Sequence, residues 1–332
     1  MNFEFVCSME KKFSRQSIVV DQSLESHEIL VAPTSVGICG SDLYHFLSPQ
    51  MGGLRLGHEW IGRVLETGSE VSNVKVGDMI TTSATLGCGE CEYCLEQKVN
   101  LCVRGDHLGS DKKGAICSVL KFKDFNAIKI QNDQSEEVLL EVMAVAEQAM
   151  QMLPFAPRKV LVLGAGTVGV LCAFLFKEKN IDCTIVEKSD FRIEKSKLLG
   201  LPVISLAQAI IGDFKNKFDL VIDATNDRSG KGGWNYLSYF GAKNFHAIII
   251  GKYLNLVSLN SNELAKLNGS IGFMRGVPLS TLQLTVNKWS GRLRELGSSI
   301  ITHRFGADEL DKAFETALDT SKSIKVVIDL TL

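Results

Sequence analysis

Residues Lys159 to Glu187 read KVLVLGAGTVGVLCAFLFKEKNIDCTIVE, and the order of the parts decides the fold class. KVLVL is a short apolar run of the kind that forms a strand buried on both faces. It enters GAGTVG, in which Gly164, Gly166 and Gly169 frame Thr167 and Val168, and an apolar stretch to Lys179 follows at helical length. A second strand is expected from Asp182 to Val186, ending at Glu187. Strand, glycine turn, helix and strand make a βαβ unit. The glycines permit a tight turn, a close approach of backbone to a pyrophosphate at the helix N-terminus, and close packing of helix on strand. Glu187 follows Gly164 by 23 residues, where a carboxylate can accept hydrogen bonds from an adenosine ribose. Such a carboxylate repels a 2′-phosphate, which favours NAD over NADP, while Lys188 and Arg192 are cations able to accommodate the extra phosphate.

The same stretch has 17 uncharged residues from Val160 to Phe176. A membrane span needs about 20 apolar residues, and glycine is a poor helix-interior residue, so the segment reads as soluble.

Working outward, a helix is expected from Phe191 to Leu199, with Ser189 or Asp190 as N-cap and Gly200 as stop. Further strands are expected at FDLVIDAT (Phe218 to Thr225), AIII (Ala247 to Ile250) and LVSL (Leu256 to Leu259). The fold class is therefore α/β, with a doubly wound (Rossmann) sheet in the middle of the chain. The first 140 residues differ: WIGRVLETG, VKVGDMITT and SVLKF are short strands punctuated by glycine, the pattern of an antiparallel, barrel-like domain. Near the end, a helix around Ala307 to Leu318 precedes a strand, SIKVVIDL, that can return to the first domain.

Composition agrees with a folded globular chain. The 332 residues are 45% apolar and 22% charged, which excludes a disordered chain, and 36 basic against 38 acidic residues leave a net charge of −2. That balance offers no electrostatic footprint for nucleic acid or an anionic membrane. The start, MNFEFVCSMEKKF, lacks a basic region followed by a long apolar one, so a cytoplasmic location is expected.

In that reducing compartment, clustered cysteines point to metal ligands rather than disulfides. There are nine cysteines, five of them between Cys88 and Cys117. GCGECEYCLEQKVNLC spaces Cys88, Cys91, Cys94 and Cys102 by three, three and eight. Four thiolates on one loop can close a tetrahedral shell around Zn²⁺ at about 2.3 Å, a structural site with no open position. An iron–sulfur cluster also uses four cysteines, and spacing alone does not separate the two. A second constellation is GICGSD (Gly37 to Asp42) with LGHEW (Leu56 to Trp60). Cys39, His58 and the adjacent Glu59 offer a thiolate, an imidazole and a carboxylate, and Asp42 could fix the histidine tautomer.

GICGSD, LGHEW, GCGECEYC and GAGTVG, in this order, resemble the zinc-dependent medium-chain alcohol and polyol dehydrogenases over nearly the whole chain. The resemblance implies a GroES-like, β-rich catalytic domain (1–143 and 289–332) split around a Rossmann NAD-binding domain (144–288), assembled as a homodimer or homotetramer. It implies two Zn²⁺ per chain. Cys39 and His58 are catalytic ligands on this view, with Glu59 bound directly or through water, and the cysteine loop holds the structural ion. In the polyol branch the remaining ligand is a glutamate just before the cofactor domain, usually followed by proline. The residue assigned here is Glu147 in AVAEQAM, 17 residues before Gly164, with Gln148 in the proline position. Ser41 matches the hydroxyl that hydrogen-bonds the substrate oxygen, with Tyr44 and His45 as candidates to pass the proton outward. The implied reaction moves a hydride between a secondary alcohol or polyol and NAD(P), giving a ketone.

Within the family, GICGSD, LGHEW and a glutamate ligand are most similar to the sorbitol, butanediol and threonine dehydrogenase branches. Threonine dehydrogenases carry a histidine three residues before the first structural cysteine, where this chain has Thr85. Cys117 stands where the family tends to have an acid, and the role it invites is lining the pocket. The competing expectations are threonine 3-dehydrogenase-like oxidation of an amino alcohol, a zinc-free reductase of the same fold, and a catalytically silent NAD-binding homologue.

Overall fold

The computed structural model describes residues 2–19, 23–47, 53–110, 113–226, 232–253 and 256–331. The chain divides into two compact units. One comprises Met1–Ala144, Gly276–Asp319 and Lys325–Leu332, and the other Val145–Arg275 with Thr320–Ile324.

The first unit opens with an antiparallel hairpin, β1 (Phe3–Cys7) and β2 (Phe13–Ser17). Then come β3 (Glu28–Gly37), β4 (Glu59–Thr67), β5 (Met79–Thr81), β6 (Thr85–Leu86), β7 (Asp106–His107), β8 (Leu120–Lys123) and β9 (Ile128–Lys129). Pairing among them is antiparallel, as the glycine-punctuated sequence predicts. Their inward residues Val31, Val36, Trp60, Val64, Ile80 and Phe122 form one apolar core, which also takes in Cys7 and Cys117. Cys117 is therefore a core residue, its thiol donating to the Val119 carbonyl at 3.1 Å. The β3–β4 register shifts between Pro33 and Ser35. Proline has no N–H to give the ladder, so the irregularity falls there.

The second unit holds β10 (Lys159–Leu163), β11 (Asp182–Glu187), β12 (Val203–Ser205), β13 (Phe218–Asp223), β14 (Gly241–Ile249) and β15 (Ser270–Phe273). They form one parallel sheet in the order β12-β11-β10-β13-β14-β15. This is the expected doubly wound sheet, with the switch of direction between β10 and β13. The helix Asp190–Leu198 is capped by Ser189, whose side chain accepts from the Arg192 N–H. One expectation fails. LVSL is not a strand: Leu256 is fully exposed and Leu259 is exposed, and only Val257 packs on the core. The edge position belongs to SIGF at 270–273, whose polar and small residues suit an edge strand but hide it from a search for apolar runs. Among the described residues no helix is long and apolar enough to cross a membrane; GAGTVG leads into a helix of 12 residues, Thr167–Glu178.

Close packing of that helix on β10 depends on Gly169, because a Cβ there would lie 1.9 Å from the Gly164 carbonyl oxygen. Gly169→Ala should lower stability by about 1–3 kcal/mol through overpacking, read from urea denaturation. A change within about 0.5 kcal/mol would contradict this account of the contact.

The closing strands are β16 (Ile301–Gly306) and β17 (Lys325–Asp329). β17 runs parallel to β16 and antiparallel to β3, giving the order β16-β17-β3-β4-β5-β9, with β8 also paired to β3. The chain end thus returns to the first unit's main sheet. The chain re-enters that unit at Gly276, earlier than the 288/289 joint read from the sequence. The helix Leu279–Trp289 is part of the first unit, where the Leu279 N–H donates to the Gln97 carbonyl at 2.8 Å.

Candidate active site and cofactor crevice

Cys39 and His58 are 19 residues apart in the chain, and strand pairing brings them together. β3 ends at Gly37, β4 begins at Glu59, and these two residues are register partners. The segments just beyond the strand ends therefore meet, and the ligand atoms of Cys39, His58 and Glu59 all lie within 4.8 Å of one another. Thiolate, imidazole and carboxylate from three positions are a zinc donor set.

Asp42, on the helix Gly40–Leu47, ties the pieces together. It accepts from the Cys39 N–H at 2.9 Å and the Gly57 N–H at 3.0 Å, and its Oδ1 lies 3.5 Å from His58 Nδ1. The Nδ1 proton is directed at this carboxylate, which leaves Nε2 to face the ligand cluster. Burial opposes ionisation of both groups, but their mutual attraction and hydrogen bonding win, raising the His58 pKa well above its ordinary value and lowering that of Asp42. Ser41 Oγ lies 3.3 Å from His58 Nε2, and Tyr44 and His45 follow it by three and four residues on the same helix. That spacing places the three on one helical face, and the two rings meet edge to face at 5.2 Å. Gly109, at φ +78°, passes so close that a Cβ would lie 3.0 Å from Asp42 Oδ1 and 3.1 Å from His58 Nδ1.

Two residues here escaped the sequence reading. Lys325, at the start of β17, is buried with its ammonium paired to Glu59 Oε2 and donating to the Ile38 carbonyl at 3.0 Å. Burial alone would lower its pKa, yet the Glu59 and Cys39 charges hold it above the usual lysine value. Gly37 makes room for this pair, since a Cβ there would come within 2.7 Å of Glu59 Oε2. The other residue is Glu141, fully enclosed in the helix Leu139–Gln151. Burial pushes its carboxyl up to about 7, and it feels the charges of His58, Glu59, Lys325 and Asp42. Its signal in the sequence was a single acid inside LLEVMAVA. Glu147 lies on the same helix, half-buried, in the part that belongs to the second unit. Six residues of helix separate the two by about 9 Å along the axis and about 240° around it, so they serve different faces.

The four loop cysteines also converge, with every ligand sulfur within 4.8 Å of the others. Cys88 and Cys94 are 3.9 Å apart, and Cys91 and Cys102 3.7 Å. A hydrogen bond from the Glu90 N–H leads the causes that bring Cys88 down to about 6, whereas burial pushes Cys94 up to about 12. Such a closed thiol set fits a structural metal.

In the second unit the glycine turn behaves as an anion cradle. Gly164 takes φ +98°, and a Cβ at Gly166 would find nothing closer than Arg192 Nη1 at 3.7 Å, so the turn is open at Gly166. A carboxylate already takes one of its amides: Glu187 accepts from the Ala165 N–H at 2.6 Å, and from the Lys188 and Ser189 N–H groups, which follow its own strand, at 2.6 and 2.9 Å. Arg192 is anchored by its Nε on the Ser323 carbonyl at 2.9 Å, and Thr167 Oγ1 donates to the Ile324 carbonyl at 3.4 Å. Val168 is half-buried and Lys188 exposed. Open glycine, anion-seeking amides and a neighbouring guanidinium fit a dinucleotide's diphosphate.

Comparison with known proteins agrees with this fold. Residues 25–132 match the family model of the alcohol dehydrogenase GroES-like domain. The chain is 23% identical over 325 residues to L-threonine 3-dehydrogenase of Paraburkholderia phymatum, covering 92% of this chain and 93% of that protein. Among solved structures, 2R,3R-butanediol dehydrogenase from Bacillus subtilis superposes with a TM-score of 0.83 at 18% identity over 100% of both chains. An Escherichia coli alcohol dehydrogenase in complex with NADH gives 0.84 at 22% identity over 99% of each.

Proposed function

We propose that this chain is an oxidoreductase of the medium-chain dehydrogenase/reductase family, a zinc-dependent, NAD(P)-linked dehydrogenase interconverting a secondary alcohol or polyol and its ketone. The observation that carries the reading is the convergence of Cys39, His58 and Glu59 on one point beside Asp42 and Ser41. Cys39, His58 and a carboxylate would hold the catalytic zinc, and Cys88, Cys91, Cys94 and Cys102 the structural one. A zinc ion bound there would supply a Lewis acid for the substrate oxygen, and a bound nicotinamide would supply the hydride acceptor or donor.

The protein's own groups do the rest. Asp42 keeps His58 in the tautomer that presents Nε2, and Lys325 neutralises Glu59, so the carboxylate beside the ligands does not stand alone in a buried setting. Ser41 Oγ is placed to take the substrate hydroxyl proton and pass it along the helix face to Tyr44 and His45. Glu187 receives the adenosine ribose, favouring NAD, and Arg192 faces the diphosphate. The reading includes a homodimer or homotetramer.

We assign the remaining catalytic carboxylate to Glu141 in preference to Glu147, because Glu141 shares the electrostatic field of His58 and Glu59. Glu141→Gln should weaken zinc retention at the catalytic site about 10–100-fold, measured by competition with a chelator, while Glu147→Gln leaves it unchanged. The reverse pattern would restore Glu147.

One contact favours a second reading, oxidation of an amino alcohol such as threonine. Thr85 stands where threonine dehydrogenases carry histidine, but His107 is its register partner, with Nδ1 2.9 Å from Thr85 Oγ1, so an imidazole reaches that position from the neighbouring strand. The test is a panel of polyols, 2,3-butanediol, sugars and L-threonine with NAD and NADP, followed by nicotinamide absorbance alongside zinc analysis. Full zinc with no turnover on any member would count against the dehydrogenase reading and for a silent homologue.

A further inference from the structure

The strand ends beside the glycine turn carry a second feature that the turn does not explain. The sheet order reverses between β10 and β13, and a dinucleotide lies across that switch point with one half on each side. Glu187, at the end of β11, marks the adenosine side. The nicotinamide half then belongs on the side of β13 and β14.

There the strand ends are knotted around Asp223, which is completely buried. Its carbonyl accepts from the Ile250 and Gly251 N–H groups at 3.0 and 3.1 Å. Its Oδ1 accepts from the Thr225 N–H at 3.0 Å and the Thr225 hydroxyl at 2.6 Å, and its Oδ2 accepts from the Tyr253 hydroxyl. The Tyr253 oxygen is 3.1 Å from Thr225 Oγ1 and accepts from the Trp234 N–H at 3.3 Å. Glycine stands at two of the closest backbone approaches to this knot. A Cβ at Gly251 would lie 1.8 Å from the Thr225 carbonyl oxygen, and one at Gly164, the first glycine of the turn, 3.1 Å from Thr225 Cγ2. The knot therefore joins the turn after β14 to the diphosphate turn after β10. With its carboxylate oxygens held by these donors, Asp223 is placed to fix the turns rather than to act as a base.

Resting on the dinucleotide reading above, we propose that Tyr253, held by Asp223 and Thr225, is a positioning residue for the nicotinamide half of the cofactor, fixing the wall against which the nicotinamide riboside packs. Two small changes test it. Tyr253→Phe keeps the ring and removes the hydroxyl. Thr225→Val is nearly isosteric, keeps the methyl against Gly164 and removes the bridging oxygen. Calorimetry on the full chain compares NADH or NADPH, whichever the unaltered protein prefers, with the matching fragment lacking nicotinamide, ADP-ribose or its 2′-phosphate. Each variant should weaken the dinucleotide about tenfold while the fragment stays within about twofold. A purely structural knot would weaken both alike, and that result, or no weakening of either, overturns the assignment. An unaltered chain that binds the fragment as tightly as the dinucleotide also overturns it while leaving the adenosine site standing. If it binds neither, the dinucleotide reading itself fails and this inference with it.

Discussion

Lys325→Met should destabilise the protein by about 3–5 kcal/mol, a large share of the stability of an ordinary domain. Lys325 and Glu59 are both 2% exposed, so removing the ammonium leaves a carboxylate with no water to solvate it. It also removes the donor to the Ile38 carbonyl. Methionine fills nearly the same volume, so a large loss would come from charge rather than from a cavity. Adding Glu59→Gln to Lys325→Met should recover much of the loss, since the stranded charge is then gone. Chemical denaturation in the presence of a chelator measures both, because no cation charge then enters the comparison. A single-variant loss below about 1 kcal/mol, or no recovery in the double variant, would show that the pair is not the buried unit described.

His58→Ala should cost turnover on the order of a thousandfold or more if the site works as proposed, since it removes a ligand of the Lewis acid. It should also reduce zinc from two ions per chain to one, because the four cysteines of the loop form a separate set. The two readouts guard each other. Lost turnover with both ions retained would make His58 a proton carrier rather than a ligand. Retained turnover on any substrate the unaltered chain accepts would remove the zinc mechanism altogether.

Much of this was legible in the sequence for a local reason. A strand, a glycine turn and a helix are specified by neighbours a few residues apart, and GAGTVG between KVLVL and an apolar helix has one sensible folding. The cysteine loop was readable in the same way, since its four ligands fall within 15 consecutive residues. Local pattern failed where the signal was weak. SIGF carries too few apolar residues to announce an edge strand, and LVSL has the composition of a strand without neighbours to pair with.

The Cys39, His58 and Glu59 cluster divides along the same line. GICGSD and LGHEW named Cys39, Ser41, Asp42, His58 and Glu59, but the motifs could not say what neutralises Glu59 or that Glu141 feels the charges of His58 and Glu59. Lys325 is 266 residues from Glu59 in the chain and meets it because β17 pairs with β3, which pairs with β4. Glu141 and Glu147 are equally good acids on one helix, and helical phase separates them. The sequence by itself determined the two kinds of unit, the order in which the chain visits them and most of the side chains that the proposed metal and nucleotide chemistry would use. The tertiary structure alone decided how the buried charges balance, because burial and pairing between distant segments depend on strand register, which no local pattern contains.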